Sequence, residues 1–145
     1  MLGHDVEYFI DMPDDQLIMT AIEESRVLLT RDIQLYRRAS INGVKAFLIG
    51  GRTEIDKLVE LAQHFGFGLD VDVNVSRCPK CNTKINPVSK EEVKDKIPQS
   101  TSRFYDDFWM CPSCGQIYWQ GSHWKKINRT LSKAKHMAEM SSKPR

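Results

Sequence analysis

The chain contains no apolar run that approaches the length of a membrane-spanning helix, so a transmembrane anchor is not expected. No secretory signal is legible at its start, and a cytoplasmic location with reduced thiols is the expectation. Cysteine is scarce: there are four in 145 residues, and none lies outside two short pairs. Net charge is small, +2, so the chain as a whole is not a polycation. The apolar fraction, 41%, is a little low for a globular chain but well above that of a disordered one. This length suits one ordinary domain, or a small domain with a metal-stapled module.

The scarce cysteines organise what is present. Cys78-Pro79-Lys80-Cys81 and Cys111-Pro112-Ser113-Cys114 are both C-x-x-C, and a gap of 29 residues separates them. Two thiolates on a turn too tight for a helix can face one ion, and two such turns complete a tetrahedral four-cysteine site suited to Zn²⁺. The gap exceeds the roughly 15–20 residues of a common zinc template, so an insertion is expected between the knuckles. Asn82 and Gly115 follow the two pairs, and both residue types tolerate the left-handed backbone that turns amides toward sulfur. Two disulfides would suit a secreted protein, and a redox pair would need only one motif beside a βαβ unit. Structural zinc is the better reading, and a closed four-thiolate site would hold shape without doing chemistry.

Charge is unevenly spread. Residues 1–30 carry seven acids against one base, Arg26, whereas residues 116–145 carry seven bases against one acid, Glu139. An acidic end and a basic end suggest two tasks, cation binding and polyanion binding, although an uneven solvated surface has the same signature.

Along the chain, Val6-Glu7-Tyr8-Phe9 reads as a short strand. A helix follows Met12-Pro13, with Asp14 or Asp15 as its cap and Leu17, Ile18, Ala21 and Ile22 at helical spacing. Val27-Leu28-Leu29 reads as a strand buried on both faces. A short helix marked by Leu35, Tyr36 and Ala39 follows, then a strand at Ala46-Phe47-Leu48-Ile49. A longer helix runs from Glu54 to Phe65, with Ile55, Leu58, Val59 and Ala62 on its buried face and Gly66 at its close. This alternation predicts an α/β unit: a small parallel sheet with crossover helices. In such sheets the working site lies beyond the carboxyl ends of the strands. Asp11, Asp14, Asp15 and Asp32 are placed to converge there. A carboxylate cluster of that kind takes Mg²⁺ or Mn²⁺, since the charges repel without a cation. Each acid also has a plainer role, as a helix cap or as a complement to a helix dipole.

Val71, Val73 and Val75 alternate like an edge strand leading into the ribbon. Between the knuckles, residues 87–93 read as a capped short helix and Gln99-Ser100-Thr101-Ser102 as loop. Phe104, Tyr105, Phe108 and Trp109 crowd toward the second knuckle, as expected where a metal module has little core of its own. Ser122 is the expected cap of a last helix with the apolar stripe Trp124, Ile127, Leu131, Ala134 and Ala138. Lys125, Lys126, Arg129 and Lys133 lie mostly off that stripe and form a candidate RNA-binding face. His123 reads as a surface residue, and the chain is expected to fray from Ser141.

Several stretches then carry a family resemblance. They are Pro13-Asp14-Asp15-Gln16-Leu17, Leu28-Leu29-Thr30-Arg31-Asp32, Arg77-Cys78-Pro79-Lys80-Cys81-Asn82, Pro87-Val88-Ser89-Lys90-Glu91-Glu92-Val93, Phe108-Trp109-Met110-Cys111-Pro112 and Tyr118-Trp119-Gln120-Gly121-Ser122-His123-Trp124. In this order they resemble the C-terminal ribonuclease domain family named after the nematode mutator-seven protein, from about Leu2 to Leu131. That family is a PIN-like nuclease domain with an appended zinc ribbon. The resemblance implies metal-dependent hydrolysis of RNA, with carboxylates holding Mg²⁺ or Mn²⁺ to activate a water. Asp32 matches one cluster aspartate, Asp15 or else Asp14 matches the acidic position at the helix start, and Thr30 is placed to hold water or phosphate. The implied division is residues 1–75 as the PIN-like part, 76–121 as the zinc ribbon and 122–145 as the basic helix and tail.

One departure stands out. Such domains begin with a strand ending in an aspartate and a helix with basic residues, and Met1-Leu2-Gly3-His4-Asp5 resembles the end of that helix. Either the start lies further upstream or the chain is shortened. A shortened chain would lack a metal ligand and an inner strand, and would bind metal weakly and cut poorly. Its open sheet edge would invite a homodimer or a protein partner that completes the sheet. The alternative from another class is a non-catalytic zinc-ribbon module that binds RNA or a protein.

Overall fold

The computed structural model describes residues 1–142. The basic residues Lys143 and Arg145 lie outside the described residues, as does most of the tail expected to fray; Ser141 still closes the last helix. The chain divides into two compact units, Tyr8–Phe67 and a second made of Met1–Glu7 with the chain from Gly68 onward.

The Tyr8–Phe67 unit is an α/β arrangement of α1 (Asp14–Glu23), β1 (Leu28–Thr30), α2 (Ile33–Ile41), β2 (Ala46–Leu48) and α3 (Glu54–Phe65). β1 and β2 are parallel, Leu29 opposite Phe47, with α2 connecting them. Ile18 and Ala21 of α1, Leu35 and Ala39 of α2, and Val44 form its buried cluster, and Leu17, Leu28 and Ala46 pack against it. Each pair of helical residues is three or four apart, which puts both on one face. α3 begins with a capping box, Thr53 and Asp56 each accepting the other's backbone N–H, and ends at Gly66 in the left-handed conformation, φ 70°. Glu60 of α3 reaches back and accepts from the N–H groups of Gly50 (3.0 Å) and Gly51 (2.9 Å), pinning the turn after β2. A Cβ on Gly51 would stand 2.6 Å from the Lys57 nitrogen, so that turn requires glycine.

Val6–Phe9 forms no strand: Val6 donates its N–H to Asn82 Oδ1, and Tyr8 is 85% exposed. The parallel sheet accordingly has two strands among the described residues. β1 is not buried on both faces, because Leu29 is exposed. Asp14 and Asp15 do not cap α1. Pro13 occupies the cap position without a side-chain bond, and both acids lie in the first turn.

The second unit is built on an antiparallel sheet of β3 (Asn86–Val88), β4 (Phe108–Met110) and β5 (Ile117–Tyr118), with β4 central. The expected insertion between the knuckles supplies β3, α4 (Lys90–Val93) and α5 (Gln99–Phe104). Alternation along β4 divides the ribbon's apolar contents. Trp109 packs with Cys78, Cys111 and Ile85, whereas Phe108 packs with Val93 and Ile117. α6 (Ser122–Ser141) buries Trp124, Leu131 and Ala134, and Trp124 stacks on Trp109 with ring centroids 6.2 Å apart and planes 14° apart.

Residues 71–75 do not form the expected edge strand. They turn around Asp72, whose Oδ1 accepts from Asn74 N–H (2.9 Å) and whose carbonyl accepts from Val75 N–H (3.1 Å). Gln99–Ser102 is helical, not loop: Pro98 starts the turn and its carbonyl accepts from Ser102 N–H at 3.1 Å. The cap of α6 is Gly121, and Ser122 is its first helical residue.

Candidate metal centre and basic face

The two knuckles repeat one backbone figure. Cys78 N–H donates to the Thr83 carbonyl (2.8 Å) and Asn82 N–H to the Cys78 carbonyl (2.8 Å). In the second knuckle Cys111 N–H donates to Gln116 and Gly115 N–H to Cys111, both at 2.9 Å. The figure closes only with a left-handed residue after each pair, and Asn82 (φ 65°) and Gly115 (φ 74°) supply it. The β4–β5 hairpin carries the second knuckle, and the Arg77–Lys84 bridge frames the first.

The four sulfurs lie within 4.8 Å of one another, and this is the group among the described residues that could hold a metal ion. Cys78 Sγ is 3.6 Å from Cys114 Sγ, and Cys81 Sγ is 3.3 Å from Cys111 Sγ. A regular tetrahedron of zinc–sulfur bonds places sulfurs about 3.8 Å apart, so the quartet fits such an ion closely. No pair is joined as a disulfide. Cys78 and Cys111 are buried in the ribbon core, and Cys81 and Cys114 face solvent.

Neighbours prepare the thiols unequally. The Thr83 hydroxyl, 3.5 Å from Cys81 Sγ, then the Thr83 backbone N–H and the Cys111 thiol, draw Cys81 down to about 6. At Cys78 burial resists ionisation, but the Tyr118 phenol 3.0 Å away and two knuckle N–H groups outweigh it, and the pKa falls. At Cys114 the Gln116 N–H pulls downward, yet desolvation and the three neighbouring sulfurs push it up to about 11. Crowded sulfurs cannot all ionise without a compensating cation. Tyr118 itself rises well above its usual range, through desolvation and then its bond to Cys78.

The acidic candidates behave differently. Asp32 follows β1 and caps α2, its Oδ1 accepting from Gln34 N–H (2.7 Å) and Leu35 N–H (3.2 Å). Thr30 Oγ1 accepts from Asp32 N–H at 3.0 Å. Arg38, one turn before the end of α2, bonds both Asp14 (3.1 Å) and Asp15. Among the described residues these aspartates do not form a group of three metal-ligating side chains. Of the carboxylates expected to converge on a cation, Asp14 and Asp15 are thus paired with Arg38 and Asp32 gives one oxygen to a helix cap.

On α6, Lys125, Lys126, Arg129 and Lys133 are exposed, and none makes an ion pair among the described residues. Lys135 differs: it pairs with Asp70 at 2.9 Å, which raises its pKa. No helix among the described residues is long and apolar enough to cross a membrane.

A family profile described as the Mut7-C RNAse domain matches residues 1–131. The chain belongs to the Mut7-C RNAse domain family. No curated protein and no solved structure matches it. In this member of the Mut7-C family, both knuckles and most of the basic face fall inside the matched span, and Lys133 lies just beyond it. Sequence reasoning missed Tyr118 and Thr83 as partners of the thiols. Thr83 had a local signal, two residues after Cys81 in a turn that folds back on the sulfur. Arg38 had none, since it is 23 and 24 residues from the acids it binds.

Proposed function

We propose that this Mut7-C domain is a metal-dependent ribonuclease of PIN-like type, stapled by a structural zinc ion and docked on RNA through its last helix. The family match over residues 1–131 carries this reading. In it, residues 1–75 form the PIN-like part, 76–121 the ribbon and 122–145 the basic helix and tail. Cys78, Cys81, Cys111 and Cys114 hold Zn²⁺, supported by four sulfurs within 4.8 Å. That ion closes the ribbon and leaves no open position for chemistry. In this reading Asp32 and Asp15, or Asp14 in place of Asp15, hold Mg²⁺ or Mn²⁺ for hydrolysis and Thr30 holds water or phosphate, supported by the position of Asp32 just beyond the carboxyl end of β1. Lys125, Lys126, Arg129 and Lys133 bind phosphates, supported by their exposure and lack of internal acids.

A second reading is favoured by one observation. Arg38 takes one carboxylate oxygen from each of Asp14 and Asp15, and Asp32 gives one oxygen to a helix cap, which suits a non-catalytic zinc-ribbon module that binds RNA or a protein. The open edges of the two-stranded sheet support pairing with a second copy or a partner strand.

Cleavage and binding of labelled single-stranded RNA, with and without Mn²⁺, separate the two. The nuclease reading expects Mn²⁺-dependent cleavage that Asp32→Asn abolishes while binding persists. Asparagine keeps the capping oxygen and removes only the charge, so misfolding does not explain such a loss. RNA binding without cleavage at any Mn²⁺ concentration leaves the binding module.

A further inference from the structure

One cleft in the second unit has no part in the metal centre. It lies between the turn at residues 71–73 and the first two turns of α6, with a volume of about 470 Å³. Ligand pockets commonly span about 300–1,000 Å³. Its apolar wall is Val71, Val73 and Trp124, and its polar groups are Asp72, Gln120, Asn128 and Lys125. Trp124 of this wall is stacked on Trp109, whose ring packs against the buried cysteines. Gln120 and Asn128 are exposed, and neither side chain makes a hydrogen bond among the described residues. Each carboxamide therefore offers one acceptor and two donors to a ligand. Asp72 has one oxygen committed to Asn74 N–H and the other available.

We propose that this cleft holds one unstacked base of a single-stranded RNA, an inference that rests on the RNA-binding reading above. The chemistry matches on three counts. A base presents a flat apolar face and an edge of alternating donors and acceptors, which carboxamides and a carboxylate complement. It carries a phosphate on its sugar, and Lys125 stands both in the cleft and at the head of the exposed row continued by Lys126, Arg129 and Lys133. The cleft is open on one side, as entry of a base still attached to its strand requires. A base paired in a duplex has its edge already occupied and cannot enter.

Salt-dependent binding by the zinc-loaded chain tests this, with a short labelled single-stranded RNA and a duplex of the same length as probes. Gln120→Ala with Asn128→Ala should weaken single-strand binding about tenfold, the scale of one base contact, at unchanged salt slope and with no effect on the duplex. Lys126→Gln, Arg129→Gln and Lys133→Gln together should instead flatten the slope for both probes. Both altered amides are exposed and unbonded, so the variant should fold; retained zinc content checks it. Side-chain amide resonances of Gln120 and Asn128 should also shift when uridine monophosphate is added. Equal single-strand affinity of the double variant and the parent overturns the base site and leaves the RNA reading standing. Binding of the mononucleotide without any loss of strand affinity in the variant also overturns it. A parent that binds neither probe removes both.

Discussion

In the ribbon, four sulfurs lie within 4.8 Å of one another; in the α/β unit, Asp14 and Asp15 share Arg38, and Asp32 gives its Oδ1 to the start of α2. Both sets of side chains were candidates to converge on a cation. The thiols converge because each pair rides on one short turn, and the β4–β5 hairpin and the Arg77–Lys84 bridge hold the two turns. A thiol also has few competing partners inside a protein. A carboxylate has many: backbone N–H groups at a helix start and any guanidinium in reach satisfy it without a metal. Soft ligands on local turns are thus gathered where one ion could hold them, whereas hard ligands on separate elements bond to nearby groups of the chain.

Breaking the ribbon should give the largest effect. One zinc ion per chain is expected by elemental analysis. Its removal by a chelator, or Cys111→Ser, should unfold the ribbon, since structural zinc contributes apparent binding energies of about 10–16 kcal/mol. A folded protein with free thiols and no zinc would dissolve the contrast altogether. Core truncations come next and compare the units directly. Phe108, 2% exposed, and Leu35, 6% exposed, anchor separate clusters. Phe108→Ala should cost about 3–5 kcal/mol and Leu35→Ala about 2–5 kcal/mol. Hydrogen exchange should place each loss in its own unit, and a loss spread evenly over both would show the clusters to be energetically one.

Smaller effects sharpen the account of the acids. Asp32→Ala removes the cap of α2 and should cost about 0.5–2 kcal/mol in urea denaturation, with Asp32→Asn nearly neutral. Equal losses for the two would mean that charge, not the capping bond, holds that helix start. Arg38→Ala breaks exposed ion pairs and should change stability by at most about 1 kcal/mol. It should strengthen Mn²⁺ binding, read by paramagnetic broadening at Asp14 and Asp15, because a competing cation is gone. Unchanged broadening would mean that those two carboxylates have no use for a metal even when free.

Much of the fold was legible because it is governed locally. α3 was legible from Glu54 to Phe65 with Gly66 at its close, and the helical spacing of Val59 and Ala62 marked its buried face. The parallel pair was visible as two apolar runs either side of a helix. What failed depended on partners. Val6–Phe9 alternates like a strand, but the Val6 N–H goes to Asn82, 76 residues away. Val71, Val73 and Val75 alternate as well, but Asp72 closes a turn among them. Gln99–Ser102 has the composition of a loop, yet it winds into α5 after Pro98.

By itself the sequence determined the four clustered cysteines and the basic face. C-x-x-C followed by Asn82 or Gly115 specifies its own turn, and helical periodicity alone separates Trp124, Leu131 and Ala134 from Lys126, Arg129 and Lys133. Only the tertiary structure decided which charges remain available. Arg38 is drawn to Asp14 and Asp15 because α1 and α2 pack through Ile18, Ala21, Leu35 and Ala39, which brings distant charges together. The cleft beside Trp124 exists because the turn at Asp72 and the start of α6 belong to one packed unit although about 50 residues separate them. Local rules set what each segment offers, and packing sets which offers are met inside the molecule and which are left for a ligand.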